Sequence, residues 1–288
     1  TQLQLEAALA AETLMQPDAC VMVQCVGSRN EQRRYCSRVC CLTALKNAMT
    51  IKAKWPASQI VIMFRDMMTY GFSEKYYKTA RRMGIRFLRF SPDSPPAVEK
   101  RDDGIYVTCF DTALRETAGF RADLVALSSA TIPNDTAGLA GIFKLPRTRD
   151  GFFHEAHMKL KPVDFATEGF YMAGTCHSPK NISETIVQAQ GAAGRALTTL
   201  ARDSITVDAM VARVDSDACA ACLTCVRACP FGVPFVNDEG SAEIDASKCK
   251  GCGTCAAECP AKAIDLMHSR DRQILAKVRA AIRKGSTF

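Results

Sequence analysis

Eight cysteines in the last quarter of the chain repeat one pattern. Cys219, Cys222, Cys225 and Cys229-Pro230 are separated by two, two and three residues, and Cys249, Cys252, Cys255 and Cys259-Pro260 repeat that spacing. Thiolates are soft ligands that suit iron–sulfur clusters. Two-residue gaps let successive sulfurs wrap one face of a four-iron cubane. The fourth cysteine lies on a diverging turn and reaches across to the other cluster. The spacing therefore assigns one [4Fe–4S] cluster to Cys219, Cys222, Cys225 and Cys259, and a second to Cys249, Cys252, Cys255 and Cys229. Small residues between the ligands, Ala220, Ala221, Gly251 and Gly253, let backbone N–H groups approach the sulfurs. A zinc ribbon uses two Cys-x-x-Cys pairs rather than two four-cysteine runs, so it fits less well.

Four more thiols, Cys25, Cys36, Cys40 and Cys41, fall within 17 residues. Cys36 and Cys40 are one helical turn apart, and Cys25 ends an apolar run that points at the same helix start. A helix N-terminus stabilises an anionic, thiolate-ligated group. Spacing alone leaves two readings open, a third cluster or a set of buried structural thiols. Of the other cysteines, Cys20 and Cys109 are expected as buried thiols, and Cys176 has no second thiol nearby with which to form a redox pair. His154, His157 and Glu155 lack a third ligand and are expected at the surface rather than on a metal.

The elements that position these groups follow from periodicity. A helix with Leu3, Leu5, Leu9 and Leu14 is expected over residues 1–16. Val21–Val26 is a buried strand, Val39–Lys54 a helix stopped by Trp55-Pro56, and Ile60–Phe64 a second strand. Strand, helix, strand at this length is a βαβ unit with a parallel sheet. Glu74–Met83 continues as helix and Ile85–Phe90 as strand. Ala97–Arg101 and Ile105–Phe110 flank Asp102-Asp103-Gly104 as a hairpin, and Leu124–Leu127 returns to the buried sheet. A strand at Phe170–Ala173 leads through a turn to a helix over 182–201 with Asn181 as its N-cap. The first strand-to-helix turn has only Gly27 where a dinucleotide site carries G-x-G-x-x-G, so cysteines occupy the place of a phosphate cradle.

The residues between 23 and 184 carry a family resemblance. Val23-Gln-Cys-Val-Gly-Ser-Arg29, Tyr35-Cys-Ser-Arg-Val-Cys-Cys41 and Ala44-Leu-Lys-Asn-Ala48 resemble the A subunit of heterodisulfide reductase. So do Phe64-Arg-Asp66, Thr69-Tyr-Gly71, Ala173-Gly-Thr-Cys176, Ser178-Pro-Lys180 and Ser183-Glu184. The terminal module resembles the two-cluster bacterial ferredoxins over about Val207–His268. The resemblance implies an α/β, thioredoxin-reductase-like flavin domain with a cluster-binding insertion over residues 1–203, and an α+β ferredoxin domain over 204–268. A basic amphipathic helix over 269–288, with Ile274, Leu275, Val278 and Ile282 on one face, follows. That helix is expected to dock on a partner, on a membrane surface or on its own domain.

By the same resemblance Cys25, Cys36, Cys40 and Cys41 hold a third [4Fe–4S] cluster beside FAD. Gly174, Thr175, Cys176, His177, Lys180, Asn181 and Ile182 would form the turn and helix N-terminus facing the flavin, and Lys46 would approach it and tune its electronics. Thr175-Cys176 stands where flavin reductases place an acidic residue, and the family's adenine-nucleotide fingerprint is absent from this chain. The chain is therefore expected to be the C-terminal part of such a protein or a split subunit, with FAD shared with a missing N-terminal part or a partner chain. Electron bifurcation or its reverse is implied, within a hetero-oligomer of heterodisulfide-reductase-like subunits that exchanges electrons with ferredoxin or another low-potential carrier. A flavin-free relay or scaffold and a quinone-interacting oxidoreductase are the alternatives. A cytoplasmic setting, peripheral to a membrane only through partners, is expected because cysteines at these spacings suggest metal binding rather than disulfides; no apolar stretch approaches 18 residues, so no spanning helix is expected.

The formal charge of +7 counts all 15 cysteines as neutral. Twelve thiolates would leave −5, and three oxidised cluster cores of about +2 each restore about +1. The basic residues thus balance anionic cofactors, and a nucleic-acid partner is not expected.

Overall fold

The computed structural model describes residues 1–204 and 209–285. Residues 205–208, at the expected start of the ferredoxin module, and 286–288, at the expected end of the terminal helix, lie outside the described residues. The chain divides into two compact units, Thr1–Ala196 and Leu197–Phe288.

The first unit is three layers. Its parallel sheet is built from β1 (Ala19–Val26), β2 (Gln59–Phe64), β3 (Arg86–Arg89) and β7 (Leu124–Ser129), in the order β3-β2-β1-β7. Helices α1 (Gln2–Ala10), α2 (Cys40–Lys54) and α3 (Glu74–Arg82) supply one covering layer. Cys20, Met22, Ile60 and Ile62 from the strands pack with Ala44, Leu45, Ala48 and Ile51 of α2. The alternate residues, Val21, Val23, Val61 and Met63, pack with Val107, Cys109 and Ala122 of an antiparallel meander on the other face. Both faces of β1 are covered, which is why it reads as an unbroken apolar run. The meander consists of β4 (Ala97–Arg101), β5 (Gly104–Asp111) and β6 (Glu116–Ala122).

Three expectations change. The first helix ends at Ala10 instead of residue 16, although Leu9 and Leu14 still pack on the core. The polar run Glu116–Ala122, not expected as a strand, pairs with β5 along seven residues because the hairpin fixes its register. Phe170–Ala173 forms no strand: its only ladder contact among the described residues is a single bridge between Tyr171 and Asp164. Phe170 and Met172 instead join a satellite apolar cluster with Ala140, Leu145, Phe153 and Phe165. Ala140 belongs to a short helix, α4 (Ala137–Phe143), which the periodicity did not indicate. The long helix α5 (Ile182–Leu200) forms as expected. Asn181 caps it reciprocally: the Glu184 N–H donates to Asn181 Oδ1 at 2.8 Å, and the Asn181 N–H to Glu184 Oε2 at 3.1 Å.

The second unit repeats a small motif twice. Antiparallel pairs join β8 (Ala212–Val214) to β11 (Ile264–Leu266), and β9 (Pro234–Val236) to β10 (Ala242–Ile244). Helices α6 (Thr224–Ala228) and α7 (Thr254–Glu258) each begin just after the second cysteine of a run, Cys222 and Cys252. The chain closes with α8 (Asp271–Gly285), whose Ile274, Leu275 and Val278 are exposed. No described helix is long and apolar enough to cross a membrane.

Candidate functional site

In the second unit Cys229, Cys249, Cys252 and Cys255 line one cavity, closed by Phe231, Val233, Pro234 and Ile244. That is the crossed ligand set, with the fourth cysteine taken from the other run. Cys249, Cys229 and Cys252 all lie near enough to Cys255 to disfavour its ionisation, on top of the larger effect of burial. Backbone donors already address the sulfurs. The N–H of Ala212 reaches Cys249 Sγ at 3.4 Å, that of Val233 reaches Cys229 Sγ at 3.5 Å, and that of Ala242 reaches Cys219 Sγ at 3.3 Å. Thr224 and Thr254 hydroxyls stand against Cys222 and Cys252 and pull both thiols down in pKa. A Cβ at Gly251, where φ is +62°, would collide with the Met210 carbonyl oxygen, so only glycine fits between these ligands. Among the described residues no three His, Cys, Asp or Glu groups close to single-ion distance. A cubane differs, because each of its four thiolates binds a different iron. The donor set, the cavity and the N–H groups aimed at sulfur fit a four-iron cluster.

In the first unit the four other cysteines come together where the sheet's strand order reverses. β1 lies between β2 and β7, and ligands bind beyond the carboxyl ends of strands at such a switch point. Cys25 sits there in a bulge: Val23 pairs with Leu127 and Val26 with Ser129, leaving Gln24 and Cys25 opposite the single residue Ser128. Cys25 has φ of +62°, which turns it out of the strand. Cys40 and Cys41 open α2 and are buried, and the Arg38 N–H donates to Cys36 Sγ at 3.2 Å. Burial raises the Cys25 pKa, and the nearby Cys41 and Cys36 raise it further against Arg29. The Cys40–Cys41 hydrogen bond lifts Cys40 and, with it, draws Cys41 down to about 7. Cys25 and Cys40 are thus disfavoured as thiolates by burial and by the neighbouring cysteines, a conflict that a cationic cluster core would remove.

Charged groups frame this site. Asp66 takes Arg29 at 2.7 Å and Arg89 at 2.8 Å, and the Arg29 hydrogen bond holds its carboxyl below the usual range. Arg38, between Cys36 and Cys40, has φ of +60° and donates to Tyr70 Oη at 2.8 Å, Pro179 O at 3.4 Å and Glu184. Tyr70 Oη donates to Glu184 at 2.9 Å. One guanidinium thus ties the cysteine loop to the turn before α5 and neutralises the carboxylate in the first turn of that helix.

The turn itself divides in two. Gly174 and Lys180 are buried: Lys180 Nζ donates to Gly174 O at 2.8 Å and Gln188 Oε1 at 2.9 Å and lies 3.2 Å from His177 Nδ1. Burial lowers the Lys180 pKa. His177 Nε2 meets Glu155 at 2.8 Å, so Glu155 is buried in this network rather than at the surface. Thr175 and Cys176, in the tight turn Gly174–Cys176, are exposed; Asn181, half-buried, and Ile182, exposed, stand at the N-terminus of α5. Lys46 is exposed and forms an ion pair with Glu6 of α1. A surface pair of this kind contributes little to stability. Arg38, Asp66, Tyr70 and Glu184 were visible in the sequence only as members of motifs. Gln24 carried a signal of its own, a polar residue inside the apolar run Val21–Val26, whereas Ser128 lies beyond the strand expected at Leu124–Leu127.

Residues 211–260 match the family described as 4Fe-4S dicluster domain. An α/β unit with four convergent cysteines, joined to such a domain, defines an iron–sulfur protein. The chain is 39% identical over 271 residues to the A subunit of the H(2):CoB-CoM heterodisulfide,ferredoxin reductase of Methanothermobacter marburgensis, covering 92% of this chain and 41% of that one. It is 40% identical over 278 residues to the A subunit of the Ferredoxin:CoB-CoM heterodisulfide reductase of Methanosarcina mazei, covering 95% and 35%. The chain is homologous to the A subunits of heterodisulfide reductases across most of its own length, and it spans about two fifths of the Methanothermobacter relative. Among solved structures, Thermoplasma acidophilum thioredoxin reductase aligns at 15% identity and a TM-score of 0.44, covering 70% of this chain and 57% of that one. Lactococcus lactis thioredoxin reductase aligns at 13% and 0.42, covering 66% and 55%.

Proposed function

We propose that the chain is the cluster-bearing electron-transfer part of a heterodisulfide-reductase-like oxidoreductase. The observation that carries this reading is the single cavity shared by Cys229, Cys249, Cys252 and Cys255. In this reading residues 204–268 hold two [4Fe–4S] clusters and residues 1–203 hold a third on Cys25, Cys36, Cys40 and Cys41. The terminal helix α8 (Asp271–Gly285) is available to meet partner subunits. FAD at the N-terminus of α5 would be shared with a further segment or chain that supplies the adenine-nucleotide site. Bound clusters supply one-electron exchange, and a flavin converts between one- and two-electron exchange. The chain's own residues fix ligand positions, aim N–H groups at sulfur and offset negative charge with Arg29 and Arg38. Bifurcation or confurcation between a high-potential acceptor and ferredoxin, in a cytoplasmic hetero-oligomer, belongs to the same proposal.

A flavin-free relay is the second reading. It is favoured by the engagement of the buried Lys180 Nζ with Gly174 O, Gln188 Oε1 and His177 Nδ1, three partners within the chain for its three protons. Anaerobic purification with the native partners, followed by iron and flavin analysis, separates the two. About twelve irons per chain with bound flavin is expected from three cubanes. About eight irons removes the Cys25 group, and flavin absent even with partners leaves the relay.

A further inference from the structure

Two buried side chains next to the Cys25 group have nothing to bond to. Gln24 is 1% exposed and Ser128 is 2% exposed. Neither Gln24 Nε2, Gln24 Oε1 nor Ser128 Oγ has a hydrogen-bond partner among the described residues. Strand alternation puts them on one face. Cys20 and Met22 of β1, and Leu124 and Ala126 of β7, pack on the α2 side of the sheet, and Gln24 and Ser128 are the next residues of those two series. The bulge sets them side by side. They therefore lie at the carboxyl end of the sheet, on the side covered by the start of α2, where Cys40 and Cys41 begin the helix. Apolar residues would fill this place without cost, whereas a buried amide and hydroxyl are retained only where something accepts their protons.

We propose that Gln24 and Ser128 donate hydrogen bonds to the sulfur of the cluster held by Cys25, Cys36, Cys40 and Cys41, and that they raise its reduction potential. This rests on the third-cluster reading. Sulfur in a cubane is a soft, anionic acceptor, and the cluster gains negative charge when reduced. Donors fixed in a dry site therefore favour the reduced state, and the hydrogen bonds set the potential. Both residues act through the cluster's electronics and not as ligands.

The test is a redox titration of the full chain, purified anaerobically and followed by electron paramagnetic resonance. The signal missing from a Cys36→Ser chain identifies the cluster concerned. Gln24→Leu and Ser128→Ala are expected to shift its midpoint to lower potential, with iron content and the other two midpoints unchanged. The double variant is expected to shift further than either single one. Gln24→Glu, which keeps the shape and replaces a donor by an acceptor, carries the same expectation if the leucine variant does not fold. Midpoints that stay at the wild-type value in chains with about twelve irons overturn the inference and assign the two side chains to buried water. A wild-type chain with about eight irons overturns the third-cluster reading itself.

Discussion

The crossed ligation in the second unit can be tested by counting iron. Cys229 belongs by sequence to the first run, yet it lines the cavity of Cys249, Cys252 and Cys255, with the Val233 N–H 3.5 Å from its sulfur. Cys229→Ala should therefore cost the second run its cluster, about four irons of a total near twelve. The first run keeps Cys219, Cys222, Cys225 and Cys259 and with them its own cubane. Double variants sharpen the result, because two changes to one site are not additive whereas changes to separate sites are. Adding Cys252→Ala to Cys229→Ala should remove no further iron, since that cluster is already gone. Adding Cys222→Ala should remove about four more irons. Iron and acid-labile sulfide per chain, measured after anaerobic reconstitution, give the answer directly. The reverse pattern, further loss with Cys252→Ala and none with Cys222→Ala, would refute the crossed arrangement and assign Cys229 to its own run.

Arg38→Ala breaks the ties to Tyr70, Pro179 and Glu184 from a side chain about one-third exposed; a loss of about 1 kcal/mol is expected after allowance for water, read as a lower denaturation midpoint. Gly251→Ala, at φ of +62° against the Met210 carbonyl, should destabilise the second unit by about 2 kcal/mol or more and lower its iron content. Asp66 is held below the usual carboxylate range by Arg29, so its folded pKa lies under its unfolded one. Its contribution to stability is present above the unfolded value and is lost as pH falls through the folded one. Acid unfolding of Asp66→Asn should accordingly begin at higher pH than that of the wild type, and the two curves should converge at the acid end.

How far these features could be read from sequence depends on whether the signal is local. The cysteine runs and the apolar strands Val21–Val26 and Ile60–Phe64 declared themselves because ligand spacing and burial on both faces leave a mark within a few residues. The same criterion misread Phe170–Ala173, where an apolar run fills a satellite cluster without a strand beside it. It also passed over Glu116–Ala122, whose strand is imposed by a hairpin rather than by its own residues. The site's charged frame was the least legible. Arg38 and Glu184 are 146 residues apart, and Arg29 and Asp66 are 37 apart, so nothing in either neighbourhood announces the pair. Gln24 shows the opposite case, a polar letter in an apolar word, whose pairing with Ser128 needed the register.

The apolar centre of the second unit consists of Ala212, Cys225, Ala242, Cys255, Cys259, Ala263 and Ile264, three of which are thiols. Apart from Ile264, no large aliphatic or aromatic side chain is fully buried among them. So few methyl groups cannot offset the chain entropy of ordering such a small domain. The proposed clusters would then do what disulfides do in secreted miniproteins. In the proposed ligation each would take a ligand from the other run, closing two interlocked loops and drawing the ends of the module together. On that ligation iron supply would be a folding condition for this part of the chain, and oxidative loss of one cluster would loosen the loop that carries the other. Exposure to oxygen should read out first as unfolding and proteolysis of the module, ahead of any change in the α/β unit.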